Sequence, residues 1–330
     1  MNVLYTFTAA TVLNIIFIII QAFQCGKPSG GEYRIEERIV SGYDVGYYKY
    51  PWYVALHNGN FISCGGSLIA PRTVLTSAHC FKSFIPKARQ GLANLTDAYE
   101  VSIGVYDWCE RNTTRQNYTL IEVIPHEKYW DYQPYYDIAI LVLDNPTDQF
   151  TPICLPPANV KFKPKEGIVV GLGSLKYNGE APCKLNEARL LIYTDKECHK
   201  MLNETGNNDT LIKSAFCAGY LAGGIDACQG DSGGPLQVIG SNGNYVQIGI
   251  VSFGFKCASP GLLGLYTDVS MYTSWINDKL DYIESKYRTP NIYRHRFFGF
   301  TSSDLHILYI IVVTFWLLFI IGCFLFRIIH

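Results

Sequence analysis

Between residues 39 and 269 the chain alternates short apolar runs with breaks of Gly, Pro, Asn and Asp; the runs 52–56, 66–69, 137–143, 168–172 and 247–251 are the clearest. Runs of this length, rich in Val, Ile and Tyr, predict β-strands. Many of them in succession predict an antiparallel sandwich or barrel. The period changes at 271. Over 271–286 the apolar residues Ile276, Leu280 and Ile283, with Trp275 beside them, fall on one face of a helix, and Ser270 stands where its cap would be. No internal repeat and no low-complexity tract interrupts the pattern.

Both ends depart from it. Residues 1–24 read as a secretory signal, with an apolar core at 12–20 interrupted only by Asn14 and with Ala22 as a small residue for cleavage. The segment has no Lys or Arg, so an uncleaved anchor is the alternative; in both cases the large domain beyond residue 24 is translocated. Residues 307–326 carry no charge. At about 1.5 Å per residue they are long enough to cross about 30 Å of hydrocarbon. The reading is a single-pass type I transmembrane helix over 306–327, joined to the rest by a juxtamembrane stalk over 287–305. Arg288, Arg294 and Arg296 then lie on the outer side, against the positive-inside tendency, which a large translocated domain overrides. A removable lipid-anchor signal with Ser302-Ser303 as its small-residue site is the rival, against which stand a short spacer and Arg327. A buried soluble helix is a third reading, and shedding by cleavage near Arg294 or Arg296 a fourth outcome.

Composition narrows the class. Lys plus Arg number 27 and Asp plus Glu 28, a net charge of −1, which gives no electrostatic reason for a nucleic-acid partner. A hydrophobic content of 48% with 17% charged residues excludes a disordered chain. Eleven Cys point to an oxidising compartment. Five Asn-x-Thr sequons, at Asn94, Asn112, Asn117, Asn203 and Asn208, agree with export and predict that those stretches are exposed, glycosylated loops.

Three separate segments carry the candidate chemistry. In Gly230-Asp231-Ser232-Gly233-Gly234-Pro235 a Ser is set among glycines. Glycine permits a tight turn that exposes a hydroxyl and aims N–H groups at one point. A serine hydroxyl is a poor nucleophile without a base. Thr76-Ser77-Ala78-His79-Cys80 offers an imidazole at a strand end, and Asp137-Ile138-Ala139-Ile140-Leu141 an acid at the mouth of an apolar strand. An isolated buried charge is costly, so that acid needs a partner. The order His79, Asp137, Ser232 is one known for a nucleophile–base–acid triad. His57, His126, His199, His295, His306 and His330 lie in no comparable motif and read as surface or structural.

On these motifs the chain resembles a trypsin-like serine protease of the chymotrypsin family over 39–286, about three quarters of its length. The resemblance implies an all-β fold, two six-stranded antiparallel β-barrels with a C-terminal helix and the site in the cleft between them. It implies Ser232 as nucleophile, His79 as general base and then acid, Asp137 fixing the imidazole tautomer, and the amides of Gly230 and Ser232 as oxyanion hole. No cofactor and no metal is called for, although a calcium ion in the loop at 107–118 stays open. The same resemblance makes 25–38 an activation segment and Arg38-Ile39-Val40-Ser41-Gly42 a zymogen cleavage site. Cutting after Arg38 frees an ammonium on Ile39 to pair with Asp231. The activator would be a protease that prefers basic residues, or the chain itself.

Asp226 takes the position of the acid at the floor of the primary pocket, and Ala227, Ser252, Phe253, Gly254 and Gly264 are its expected substrate-binding surroundings. Many trypsin-like members have Ser in place of Ala227. Without that hydroxyl a Lys ammonium loses an acceptor, whereas Arg still pairs bidentately, so Arg is expected over Lys. The chain departs from the family pattern at Phe253 and Leu172, where Trp is usual, and at Lys256, where Gly often edges the pocket mouth. The implied disulfides are Cys64–Cys80, Cys198–Cys217, Cys228–Cys257 and Cys25–Cys154, the last tethering the activation segment; Cys109 and Cys183 remain to pair with each other, and Cys323 stays free or acylated. The expectation is a membrane-tethered endopeptidase outside the cell, with protein or peptide substrates and protein inhibitors as partners. The rival class is a protease-fold scaffold with weak or no activity.

Overall fold

The computed structural model describes residues 25–28, 43–44, 49–86, 99–110, 115–129, 135–160, 165–204, 206, 214–254 and 256–287. The segments 1–24 and 288–330, the bond between Arg38 and Ile39, and Asn94, Asn112 and Asn208 lie outside the described residues.

A two-residue strand, β1 (Tyr43–Asp44), precedes two closed barrels. The first is built from β2 (Tyr53–Asn58), β3 (Phe61–Ala70), β4 (Thr73–Thr76), β5 (Glu100–Ile103), β6 (Gln116–Pro125) and β7 (Ala139–Leu143) in the order β2-β3-β4-β7-β6-β5. It closes where β2 pairs with β5, Val54 opposite Ile103. The second uses β8 (Glu166–Gly171), β9 (Asn186–Ile192), β10 (Ala215–Gly219), β11 (Pro235–Ile239), β12 (Tyr245–Phe253) and β13 (Gly264–Asp268). Its order is β9-β10-β13-β12-β11-β8, and β8 pairs back onto β9, Val169 opposite Ala188. β1 adds to β9, with Tyr43 opposite Glu187. Every pairing between these strands is antiparallel, and closure removes the exposed sheet edges that would otherwise invite aggregation.

The helix expected at 271–286 runs over Thr273–Tyr287, after a 3-10 turn at Val269–Tyr272. The 3-10 turn is capped by Asp268, whose carboxylate accepts from the Ser270 amide at 3.0 Å and from its hydroxyl at 2.7 Å; Ser270, expected as the helix cap, lies inside that turn. Ile276 and Ile283 are buried as the spacing requires, while Leu280 is half-buried. This helix packs on β7, which is buried along its whole length. A second helix, Asp195–Glu204, was not expected from the apolar pattern. It buries only Cys198, Met201 and Leu202, and its sequence signal is the capping box Thr194-x-x-Glu197: the Glu197 carboxylate accepts from the Thr194 amide at 2.8 Å.

Among the described residues five disulfides are present: Cys25–Cys154, Cys64–Cys80, Cys109–Cys183, Cys198–Cys217 and Cys228–Cys257. Two sequons depart from the loop expectation. Asn117 lies in β6 and Asn203 in the Asp195–Glu204 helix; both are exposed. Among the described residues no helix is long and apolar enough to cross a membrane.

Candidate active site

His79 sits in a 3-10 helix, Ala78–Phe81, that follows β4 directly, and the Cys64–Cys80 disulfide ties that turn to β3. Its partner is reached across 58 positions of sequence. The Asp137 Oδ1 accepts from the His79 amide at 2.9 Å, and Oδ2 accepts from His79 Nδ1 at 2.8 Å. An ionised carboxylate only accepts, so the proton is on Nδ1 and the Nε2 lone pair faces outward. Ser252 Oγ donates to the same Oδ2 at 2.5 Å, and the Asp137 carbonyl accepts from Thr267 Oγ1 at 2.9 Å. Ser252, expected on the substrate wall, thus directs its hydroxyl at the acid. Asp137 is 2% exposed. Burial pushes its carboxyl up, but the His79 charge and the hydrogen bonds outweigh this and hold it below the usual carboxylate range. For His79 burial pulls down, and the Asp137 charge and hydrogen bond outweigh it, so its imidazolium is held above the usual range.

The Ser232 turn rests on glycine at two positions. Gly230 has φ 99 and Gly233 φ 81. At Gly233 a Cβ would lie 2.1 Å from Thr76 Oγ1 and 2.5 Å from the Gly65 carbonyl oxygen, so only a residue without one lets the turn approach β3 and β4. The turn is pinned by Gly65 N donating to the Ser232 carbonyl at 2.7 Å and Gly233 N donating to Val251 O at 2.8 Å. Cys80 Sγ, one residue from His79, lies 3.7 Å from the Ser232 carbonyl oxygen. Turn and imidazole therefore share one wall. No hydrogen bond joins Ser232 to His79, and the Ser232 hydroxyl has no partner among the described residues. Such bonds are commonly loose until substrate closes the site. The amides of Gly230 and Ser232 likewise make no hydrogen bond among the described residues and are available to an acceptor.

Two further carboxylates lie behind this turn. Asp231 accepts from Gly173 N at 2.8 Å and from Cys228 N at 2.8 Å, yet burial pushes it up to about 6. Asp226 accepts from Ala227 N at 2.9 Å and Ala258 N at 3.2 Å; burial pushes it up to about 6, and the Asp231 charge adds to the shift. Both line a cavity of about 70 Å³ together with Gly173, Cys228 and Glu187. A cavity walled by three acids favours cations. Gly264 leaves room above Asp226, where a Cβ would come within 3.0 Å of Oδ1, and the space over Gly254 is open. Phe253 is 46% exposed, and Lys256 is exposed.

Glu187 was not singled out in the sequence. It is buried, with Lys49 Nζ at 2.6 Å and the Tyr50 hydroxyl donating to the same oxygen. Its partners lie 137 and 138 positions away, so no local signal announces it. Among the described residues, the two groups close enough to chelate a metal, Cys64–His79–Cys80 and Asp107–Cys109–Cys183, are built on disulfide cysteines, which carry no thiolate to offer.

The Trypsin family model matches residues 39–276. Serine protease filzig of Drosophila melanogaster is 34% identical over 248 residues, covering 72% of this chain and 14% of its own. Transmembrane protease serine 11A of Homo sapiens is 35% identical over 246 residues, 73% of this chain and 55% of its own. Clotting factor G beta subunit of Tachypleus tridentatus is 34% identical over 253 residues, 73% of this chain and 79% of its own. The chain thus spans only part of the length of the first two. Two antiparallel barrels, an imidazole–carboxylate pair beside a glycine-bound serine, and a family match over most of the sequence lead to one conclusion: the chain belongs to the trypsin family.

Proposed function

We propose that the protein is a trypsin-like serine endopeptidase, made as a zymogen, activated by cleavage after Arg38, and cutting peptide bonds after Arg in preference to Lys. The observation that carries this reading is the bonded His79–Asp137 pair beside the two unengaged amides of Gly230 and Ser232. His79 Nε2 takes the hydroxyl proton as Ser232 Oγ bonds to the scissile carbonyl carbon. The carbonyl oxygen gains charge and accepts from both amides; removing one such donor typically costs roughly 100- to 1,000-fold in rate. The imidazolium then gives its proton to the leaving amine, the C–N bond breaks, and an acyl ester remains on Ser232. Water repeats the sequence, with His79 first as base and then as acid. Asp137 keeps the tautomer and stabilises the imidazolium throughout. Side chains and backbone suffice for every step.

Activation rests on Asp231. Its carboxyl, raised to about 6, sits in a cation-accepting cavity whose wall includes Glu187, and β1 pairs with Glu187 through Tyr43. Ile39 precedes Tyr43 by four residues, which span at most about 14 Å when extended. A new ammonium on Ile39 would restore the ionised form of Asp231, and a half-made buried pair costs about 3–5 kcal/mol. Specificity rests on Asp226 and Ala227: the guanidinium fork pairs with the carboxylate, whereas Lys finds no hydroxyl beside it. Substrates are proteins or peptides with Arg or Lys before the cut. The apolar run 307–326 and the five sequons support display outside a cell on a single-pass anchor. The test is hydrolysis of matched Arg and Lys peptides before and after cutting at Arg38. Activity only after the cut, with Arg faster, is the expected result; equal activity of the uncut chain, or faster cleavage of Lys, overturns the activation or the specificity assignment.

A further inference from the structure

The residue immediately before Asp137 has a left-handed backbone. Tyr136 has φ 55, a conformation that is unusual for a residue with a bulky side chain. Its carbonyl accepts from Ile138 N at 2.8 Å, closing a three-residue turn with Asp137 at the centre. The Ile138 carbonyl in turn accepts from His126 N at 3.0 Å. The direction of the Asp137 side chain is therefore set by the angles of a turn that Tyr136 does not adopt readily.

The ring of Tyr136 is what this turn is fastened by. It stacks on His126, with centroids 4.8 Å apart and planes at 16°, and meets the edge of Tyr272 at 6.2 Å. Tyr272 also meets His126 edge-on at 5.4 Å, and Trp275 leans on His126 at 5.1 Å. Lys128 Nζ stands 5.6 Å from the Tyr136 ring centroid. Trp275 is itself fixed, its indole donating to Glu127 at 2.9 Å. The Tyr136 hydroxyl makes no hydrogen bond among the described residues, and the side-chain contacts seen there are those of its ring. Strain retained beside reacting groups, and over-determined by its surroundings, points to a role in positioning.

We propose that Tyr136 is a positioning residue for catalysis: its ring, held by His126 and Tyr272, pins the left-handed turn that aims the Asp137 carboxylate at His79. The proposal rests on the reading of His79, Asp137 and Ser232 as a working triad. A glycine at this position would adopt φ 55 without strain but would not hold the turn in one conformation. Ring and backbone are thus separable by substitution.

The test compares Tyr136→Phe, Tyr136→Gly and Tyr136→Ala in the full-length chain cut after Arg38. The readouts are kcat and KM on an Arg peptide, the pH profile of kcat/KM, and the low-field NMR resonance of the proton between His79 and Asp137. Tyr136→Phe keeps the ring and should retain kcat within about twofold and the same profile. Tyr136→Gly and Tyr136→Ala should lose about 10- to 100-fold in kcat with KM little changed, the loss expected of a small misplacement. Their acid limb should move to lower pH, because His79 loses part of what Asp137 contributes while Lys82, the other charged group acting on it, is unaltered. The low-field resonance should weaken in both. A Gly variant with unchanged kcat and profile overturns the proposal, as does a variant that melts earlier but catalyses normally; if Ala does not fold, Gly and Phe decide. A Ser232→Ala chain with full activity would instead overturn the triad reading on which the proposal stands.

Discussion

An aryl amidinium, a rigid cation with the head group of arginine, should bind about tenfold more weakly at pH 5 than at pH 7. Asp226 is raised to about 6 by burial, and one amide donor on each of its oxygens leaves lone pairs for a cationic ligand. Only the ionised carboxylate pairs with a cation, so the apparent Kd scales as one plus the ratio of protonated to ionised acid. With a pKa of about 6 that factor is about 1.1 at pH 7 and about 11 at pH 5, a difference of about 1.4 kcal/mol. The same shift bears on stability with a definite sign. The folded pKa is raised above the ordinary carboxylate value, so the contribution is full below about 4 and is lost as pH rises through about 6. Over that window Asp226 alone should cost the ligand-free, uncut chain about 3 kcal/mol, and the amidinium should recover stability at pH 7 but not at pH 4. Calorimetric titration at pH 5, 6 and 7 measures the affinity, with Asp226→Asn as control. An affinity flat across this range refutes the reasoning. So would a slope that persists in Asp226→Asn, because the titrating group would then be Asp231.

Asp137→Asn should lower kcat about 10,000-fold at neutral pH, with little change in KM, because the amide presents a donor to Nδ1 and selects the wrong tautomer; steady-state kinetics on an Arg peptide measure this. Gly233→Ala should destabilise the fold by at least about 3 kcal/mol, since its φ of 81 is strained for alanine and the new methyl would meet Thr76 Oγ1 and the Gly65 carbonyl; thermal melting of the uncut chain reads the loss. Replacing Cys25 and Cys154 together by Ser should release residues 25–38 once the chain is cut after Arg38, which non-reducing electrophoresis or mass spectrometry would detect as a separate peptide.

The parts of this protein that could be read from sequence are those in which one residue type has one physical use. Short apolar runs bounded by Gly and Pro located five strands, and the structure shifts their ends by up to five residues: 247–251 became Tyr245–Phe253 because that strand pairs on both sides, with β11 and with β13. Strand ends are set by register across the barrel, which no local pattern records. The glycines around Ser232 were legible because a Cβ cannot fit at Gly233. The helix Asp195–Glu204 was not, because a surface helix that buries three side chains has almost no apolar stripe. Ser252 was assigned to the substrate wall from its position, and its bond to Asp137, 115 residues away, belongs to tertiary structure. The left-handed turn at Tyr136 was equally hidden, since aromatic residues seldom adopt it and its cause lies in His126 and Tyr272. Glu187 was silent for the same reason, buried by partners distant in the chain.

The central claim is that an otherwise unreactive hydroxyl at Ser232 is made nucleophilic by His79 once Asp231 has received a cation. It is tested most directly by treating the full-length chain, before and after cutting at Arg38, with a serine-directed phosphonate and locating the adduct by mass spectrometry. The account predicts one adduct per cut chain, on Ser232, absent from the uncut chain and from His79→Ala. A cut chain that takes no label, or label on Ser232 that does not depend on His79, would contradict it.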